Sequence, residues 1–196
     1  MTFILTATLA YLLGSVPFGL LLTRMAGLGD IRSVGSGNIG ATNVLRTGRK
    51  DLALATLLLD SGKGAIAVGI AAAFTQGAAA PMAVAGAFAF LGHCFPIYLK
   101  FNGGKGVATF LGTLFAFNWT VGLAAAGIWL LTAVISRYSS LSALVMAMVT
   151  PFLFLVNGQF MFFAASVFMA ALIFYRHRPN IERLLNGTES RIGKKG

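Results

Sequence analysis

The chain has 196 residues, of which 57% are hydrophobic and only 10% charged, with a formal net charge of +10 and a mean hydropathy of +0.83. Soluble globular domains carry about 25% charged residues, so the composition excludes an ordinary soluble domain and leaves no length for a separate soluble unit. The fifteen Lys and Arg against five Asp and Glu would suggest nucleic acid in a soluble chain; here they lie in short stretches between apolar runs and read as topology signals, so no nucleic-acid partner is expected.

The first apolar run spans about Phe3 to Met25, with Pro17 and Gly19 inside it. It lacks a basic segment before it and reads as a true first helix rather than a cleaved signal. A glycine-rich polar stretch, Gly27 to Asp51, precedes a second span, Leu52 to Phe74, and a neutral turn, Thr75 to Ala80. The third span, Pro81 to Leu99, ends in His93-Cys94-Phe95-Pro96 and leads to a second polar stretch, Lys100 to Gly106. Val107 to Ile135 is apolar for 29 residues, too long for one perpendicular crossing of about 20 residues. It divides at Asn118 into a short fourth span and a fifth, with Trp119 as an interfacial anchor. Arg137 to Ser140 is polar; Leu141 to Tyr175 divides again at Asn157-Gly158-Gln159; the tail from Arg176 is basic.

The pattern predicts an all-α bundle of seven transmembrane helices forming one domain over residues 1–196. Fourteen of the fifteen basic residues fall in or flank the four polar stretches, and the turns near 75–80, 118–120 and 157–159 carry no charge. With seven spans all four basic stretches share one face. The positive-inside rule then places the N-terminus outside and the C-terminus in the cytoplasm.

The first polar stretch reads Gly35-Ser36-Gly37-Asn38-Ile39-Gly40-Ala41-Thr42-Asn43, followed by Arg46. Small residues allow backbone N–H groups to converge on an anion, with Ser36, Asn38, Thr42 and Asn43 as neutral donors and Arg46 as a phosphate fork. The same composition suits an ordinary flexible loop, and no Walker motif occurs. Asn102-Gly103-Gly104-Lys105-Gly106 has the same character. Asp60 and Lys63, three residues apart, share one helix face and form either a structural ion pair or the lining of a polar cavity. Either reading requires that face to point into the bundle. His93 reads as a core histidine, no cluster at metal spacing accompanies it, and lone Cys94 reads as an inert packed thiol. Arg137, Ser139, Ser140, Ser142 and the Arg176-His177-Arg178-Pro179-Asn180 segment complete a phosphate- and hydroxyl-binding face beside an apolar bundle. The implied ligands are a phosphorylated polar molecule and a lipid. Too few acids are present for a carboxylate cage around Mg²⁺.

These motifs stand in the order found in a known family. GSGNIGATN with Arg46, Asp60-x-x-Lys63-Gly64, Gly92-His93 with Phe95-Pro96-Ile97-Tyr98 and GGKG, Arg137-Tyr138-Ser-Ser, and YRHRPNIERLLNG resemble the bacterial acyl-phosphate:glycerol-3-phosphate acyltransferases over almost the whole chain. The resemblance implies a seven-helix enzyme of the inner (plasma) membrane with its active site facing the cytoplasm. It would transfer an acyl group from acyl phosphate to the 1-position of glycerol 3-phosphate without a cofactor or metal, fed by an upstream enzyme that forms acyl phosphate. By the same resemblance, Gly35, Ser36, Gly37, Asn38, Gly40 and Thr42 would hold the acyl phosphate. Arg46, Lys105, Ser140, His177 and Asn180 would surround glycerol 3-phosphate, with Lys105, Arg46 and His177 catalytic and Ser139 and Ser142 competing for the serine position. The proton of the incoming hydroxyl would go to His177 or, preferably, to a substrate phosphate. The His-x-x-x-x-Asp pair of thioester-using acyltransferases has only a loose echo in His177 and Glu182. A transporter of phosphate esters is the rival reading, but it calls for internal repeats and a midplane site, and the polar motifs here cluster toward one face.

Overall fold

The protein is described by a computed structural model over residues 2–193; Lys194 and Lys195, counted above in the basic tail, lie outside the described residues. All regular structure among those residues is helical. The helices are α1 (Phe3–Gly14), α2 (Phe18–Met25), α3 (Ala41–Leu45), α4 (Lys50–Phe74), α5 (Ala79–Cys94), α6 (Val107–Phe117), α7 (Trp119–Ser136), α8 (Ser139–Val156), α9 (Phe160–Arg176) and α10 (Arg178–Leu185).

Five stretches are long and apolar enough to cross a membrane: Phe3–Met25, Lys50–Phe74, Ala79–Leu99, Trp119–Ser136 and Ser139–Val156. Counting α9 and α10, bent by 60° at their junction, as one span gives a sixth. The expected fourth span, α6, has 11 residues and rises about 16 Å, roughly half of a hydrocarbon core. The first span is broken where expected. Pro17 has no N–H to continue the ladder and its ring crowds the carbonyl four residues back, so α1 stops at Gly14 and α2 restarts at Phe18.

Helices in lipid gain little from the hydrophobic effect by meeting each other, so close packing must hold them. Small residues allow it here. A Cβ on Gly14 would stand 2.0 Å from the Ala89 carbonyl oxygen, and one on Gly92 2.2 Å from that of Tyr11, so α1 and α5 touch backbone to backbone. Gly112 does the same between α6 and α4, 1.9 Å from Ser61 O. The core between α5, α6, α8 and α9 is closed by aromatic rings, with Phe117 stacked on Phe162 at 4.4 Å and both edged by Phe154. Large apolar side chains such as Leu58, Phe74, Val134 and Val156 point outward, as a lipid-facing surface requires.

The two ends of the bundle differ in chemistry. At one, Asn118 caps α7 by accepting from the amides of Thr120 and Val121 and donates to Gln159 Oε1 at 3.1 Å, tying two uncharged turns together. At the other, Arg137 donates to Ile192 O, Arg46 to Ser190 Oγ and Arg176 to Gly103 O, so the four basic stretches meet.

The glycine contacts generate a contrast. Gly14→Ala should destabilise the detergent-purified protein by about 1–3 kcal/mol, the usual cost of overpacking. Gly69→Ala, where nothing lies within 4 Å, should leave the melting temperature unchanged or slightly higher. Equal melting temperatures for the two variants would remove the close α1–α5 approach as a stabilising element.

Candidate active site

The first polar stretch folds around one side chain. Asn43 is buried, and its Nδ2 donates to Ile31 O, Val34 O and Asn38 O at 3.1, 2.9 and 2.8 Å, while its Oδ1 accepts from the Ser36 amide at 3.0 Å and the Ser36 hydroxyl at 3.3 Å. Asn43, expected among the neutral donors to an anion, therefore staples the loop instead. The Gly37 amide also closes the loop internally, on Val34 O. The amides of Asn38 to Thr42 donate to no other group among the described residues. Gly35, at φ +56°, must be glycine: a Cβ there would stand 2.5 Å from Asn43 Oδ1 and 2.8 Å from Arg46 Cδ.

The second stretch is held against the end of α5. Gly103 N donates to Cys94 O and Gly104 N to His93 O, and Arg176, at the end of α9, donates from Nε and Nη2 to Gly104 O and Gly103 O at 3.0 and 2.6 Å. Lys105 then projects toward the tail, where its ammonium donates to Asn180 Oδ1. A cleft of about 390 Å³ opens between the three segments, lined by Ser36, Gly37, Asn38, Gly103, Lys105, Tyr175, Arg176, Arg178 and Pro179. An apolar groove of about 330 Å³, lined by Leu141, Leu144, Val145, Met148, Phe174, Ile181, Leu184 and Leu185, flanks the same α8–α10 region.

Glu189 organises the tail. Its Oε1 accepts from Ser140 Oγ at 2.7 Å and Asn180 Nδ2 at 2.6 Å, and its Oε2 from Arg183 Nε at 2.7 Å. Ser140 is thus the member of the serine trio that enters this cluster; Ser142 bonds back to Tyr138 O within its own segment. His177, buried where α9 breaks into α10, donates from Nδ1 to Ile173 O at 2.8 Å. That bond leaves Nε2 as the ring's lone-pair acceptor. The His177–Glu182 spacing therefore produces no acid–base pair: the ring is oriented by a backbone carbonyl. Asp60 and Lys63 are buried and paired at 2.9 Å inside the bundle, away from the cleft. No metal-binding cluster occurs among the described residues.

The electrostatics favour an anion. Arg46, Lys105, Arg176 and Arg178 form no ion pair among the described residues. Burial, reinforced by the positive charges of Arg183, Arg176 and Arg46, lowers the Lys105 pKa to about 8. Burial and nearby Lys105 lower that of His177 to about 4, so the imidazole is neutral at pH 7. Burial of Glu189 acts to raise its pKa, but the hydrogen bonds from Ser140, Asn180 and Arg183 outweigh it and hold the carboxyl below its ordinary value. Arg176, Arg183 and Glu189 were not singled out as site residues from the sequence. An acid in a strongly basic tail, in a chain with only five acids, is the signal that could have found the last.

A depressed carboxyl stabilises the fold fully above its unfolded value of about 4.3 and loses that contribution as pH falls through the folded value. Glu189→Gln should melt about 2–4 °C lower at pH 7, as expected for about 1 kcal/mol of charge-assisted hydrogen bonding at a partly exposed site. The gap should shrink below pH 4, and a gap independent of pH would contradict the charged tail clasp.

The family model for glycerol-3-phosphate acyltransferase matches residues 4–187. The glycerol-3-phosphate acyltransferase of Dinoroseobacter shibae is 60% identical over 186 residues, covering 95% of this chain and 91% of the relative; that of Cereibacter sphaeroides is 61% identical over 193 residues, covering 98% and 90%. The crystal structure of PlsY, an integral membrane glycerol 3-phosphate acyltransferase, in its glycerol 3-phosphate form superposes with a TM-score of 0.92 at 38% identity, over 97% of this chain and 96% of that one. Its lysophosphatidic acid form gives 0.90 at 36% identity, over 97% and 95%. With its apolar helices, its polar end and these likenesses together, this chain is a multi-pass membrane protein and belongs to the glycerol-3-phosphate acyltransferase family.

Proposed function

We propose that this protein transfers a fatty acyl group from acyl phosphate to the 1-position of glycerol 3-phosphate, releasing 1-acylglycerol 3-phosphate and inorganic phosphate, the first acylation of phospholipid synthesis. The observation that carries this reading is the convergence of two glycine-rich loops and the basic start of the tail on one cleft with an apolar groove beside it. A cleft with excess positive charge suits two phosphates, and the groove suits an acyl chain. In this reading the whole chain is one seven-crossing domain in the plasma membrane, with α6 as a short crossing, the N-terminus outside and the cleft at the cytoplasmic face. The positive-inside distribution of charge supports that orientation. The donor would come from a separate enzyme that makes acyl phosphates.

The acyl phosphate would lie along the first loop, its phosphate on the Asn38–Thr42 amides and the hydroxyls of Ser36 and Thr42, with Gly35, Gly37 and Gly40 giving the backbone its close approach. Arg46 and Lys105 would hold the phosphate of glycerol 3-phosphate. Ser140 keeps oxygen lone pairs and Asn180 one amide hydrogen beyond their bonds to Glu189, and both can address the glycerol hydroxyls. The hydroxyl oxygen attacks the acyl carbonyl carbon, the carbonyl–oxygen bond of the mixed anhydride breaks, and phosphate leaves with the electron pair. His177 Nε2 would accept a hydrogen bond from the hydroxyl, but at a pKa of about 4 it is a weak base. The proton passes to an oxygen of the departing phosphate. Catalysis then rests on positioning and charge stabilisation.

Purified protein with labelled glycerol 3-phosphate should form lysophosphatidate from palmitoyl phosphate and not from palmitoyl-CoA or palmitoyl carrier protein. Product from a thioester donor alone would overturn the donor assignment. Arg46→Ala and Lys105→Ala should each reduce kcat/KM at least ~100-fold, the scale for removing a charged group from a preorganised site, while remaining folded in detergent. Because Lys105 is charged only below about pH 8, kcat/KM for glycerol 3-phosphate should fall above that pH. In Lys105→Arg the decline should move to higher pH, since guanidinium keeps its proton; an identical pH profile would exclude Lys105 as the titrating group.

A further inference from the structure

The buried group of Asp60, Lys63 and His93 takes no part in the mechanism above, yet it is expensive to keep inside a membrane bundle. Its geometry connects it to the cleft. Lys63 Nζ lies 2.9 Å from Asp60 Oδ1 and donates to Val16 O at 2.9 Å, the carbonyl at the break in the first span. Asp60 Oδ1 lies 3.6 Å from His93 Nδ1, and all three side chains are almost wholly enclosed. The other side of the imidazole meets the glycine loop. A Cβ on Gly104 would stand 2.2 Å from His93 Nε2, 2.9 Å from Cε1 and 3.1 Å from Cδ2, so its three nearest contacts all belong to that ring. Gly104 is the residue before Lys105, and its own amide donates to His93 O.

We propose that His93 is a positioning residue for Lys105: the imidazole, braced by the Asp60–Lys63 pair, is the surface on which Gly104 rests, and it fixes the direction in which Lys105 leaves the loop. The proposal rests on the reading of Lys105 as a ligand of glycerol 3-phosphate. It explains why the loop needs glycine at 104, where φ is ordinary and the ring supplies the three nearest obstacles to a methyl group. It also explains why a charge pair is retained deep in the bundle, since Asp60 and Lys63 hold the ring against the loop.

The test is a double-mutant cycle of His93→Ala and Gly104→Ala on full-length protein in detergent, read as KM and kcat for glycerol 3-phosphate and as amide exchange of residues 102–107. Gly104→Ala alone should lose at least ~tenfold in kcat/KM and His93→Ala a smaller amount, mainly through KM. In the double variant the new methyl group occupies space the ring has left. It should recover to the level of His93→Ala, a coupling in the range seen for residues in contact. Exchange should be faster in His93→Ala and slowed again in the double variant. If Gly104→Ala costs as much without the ring as with it, or if His93→Ala matches wild type in KM and in exchange, the proposal is overturned. If His93→Ala is not monodisperse, His93→Asn takes its place in the same cycle. A wild-type protein without acyl transfer would overturn the functional reading, and the exchange arm would still decide whether the ring supports the loop.

Discussion

Two hydrogen bonds from one guanidinium hold the polar end together. The loop after α5 is not helical, so its carbonyls have no partners of their own beside a bilayer, and non-helical backbone is tolerated at such depth only when the protein supplies them. Arg176 donates to the carbonyls of Gly103 and Gly104 while its guanidinium lies over the Phe95 ring at 5.3 Å. The end of α9 is thereby clamped to the segment following α5. His177 and Asn180, one turn further on, arrive beside Lys105 because of that clamp. The tail then closes over α8 through Glu189, and Arg46 reaches Ser190. Without the clamp, the glycine loop would be tied to the tail, among the described residues, only through the hydrogen bond from Lys105 to Asn180.

The distribution of the few acids follows the same logic. Asp30 pairs with Arg24 and Arg32, Asp51 with Arg49, Asp60 with Lys63 and Glu189 with Arg183. These pairs neutralise charge on the outskirts, within the bundle and at the tail clasp. They leave Lys105, Arg176 and Arg178 lining the cleft and Arg46 beside the first loop, bonded to neutral groups or stacked on rings. Like charges held close together raise the free energy of the empty site, and part of that is relieved when an anion arrives. The depressed pKa of Lys105 reflects its burial first and this crowding second.

Much of this was legible in the sequence because lipid imposes simple rules. Apolar length marked the helices, Asn118 and Asn157 marked the divisions, and charge marked the polar end. Pro17 marked the break in the first span, and Asp60 with Lys63 pointed inward as their spacing required. What stayed hidden was which polar side chains bind and which build. Asn43 has the same chemistry as Asn38, and only the folded loop reveals that its amide is fully engaged. Arg176 and Arg183 resembled topology signals, and Glu189 a solvated tail residue, because their partners lie 72, 6 and 49 residues away in the chain. His93 met Asp60 across two helices, a contact no local pattern announces.

The short α6 has a consequence for the surrounding lipid. Its neighbours α4, α7, α8 and α9 run 17 to 25 residues, whereas its 11 residues rise about 16 Å against a hydrocarbon thickness of about 30 Å. A crossing that is too short is met by a thinner bilayer or by partners that shield the difference. The glycine loop ends where α6 begins, so with α6 as a crossing this mismatch would draw the headgroup layer toward it. In the proposed reaction, the acyl phosphate would then meet the cleft with its chain still dissolved among other chains, and the product would diffuse away sideways without being lifted into water.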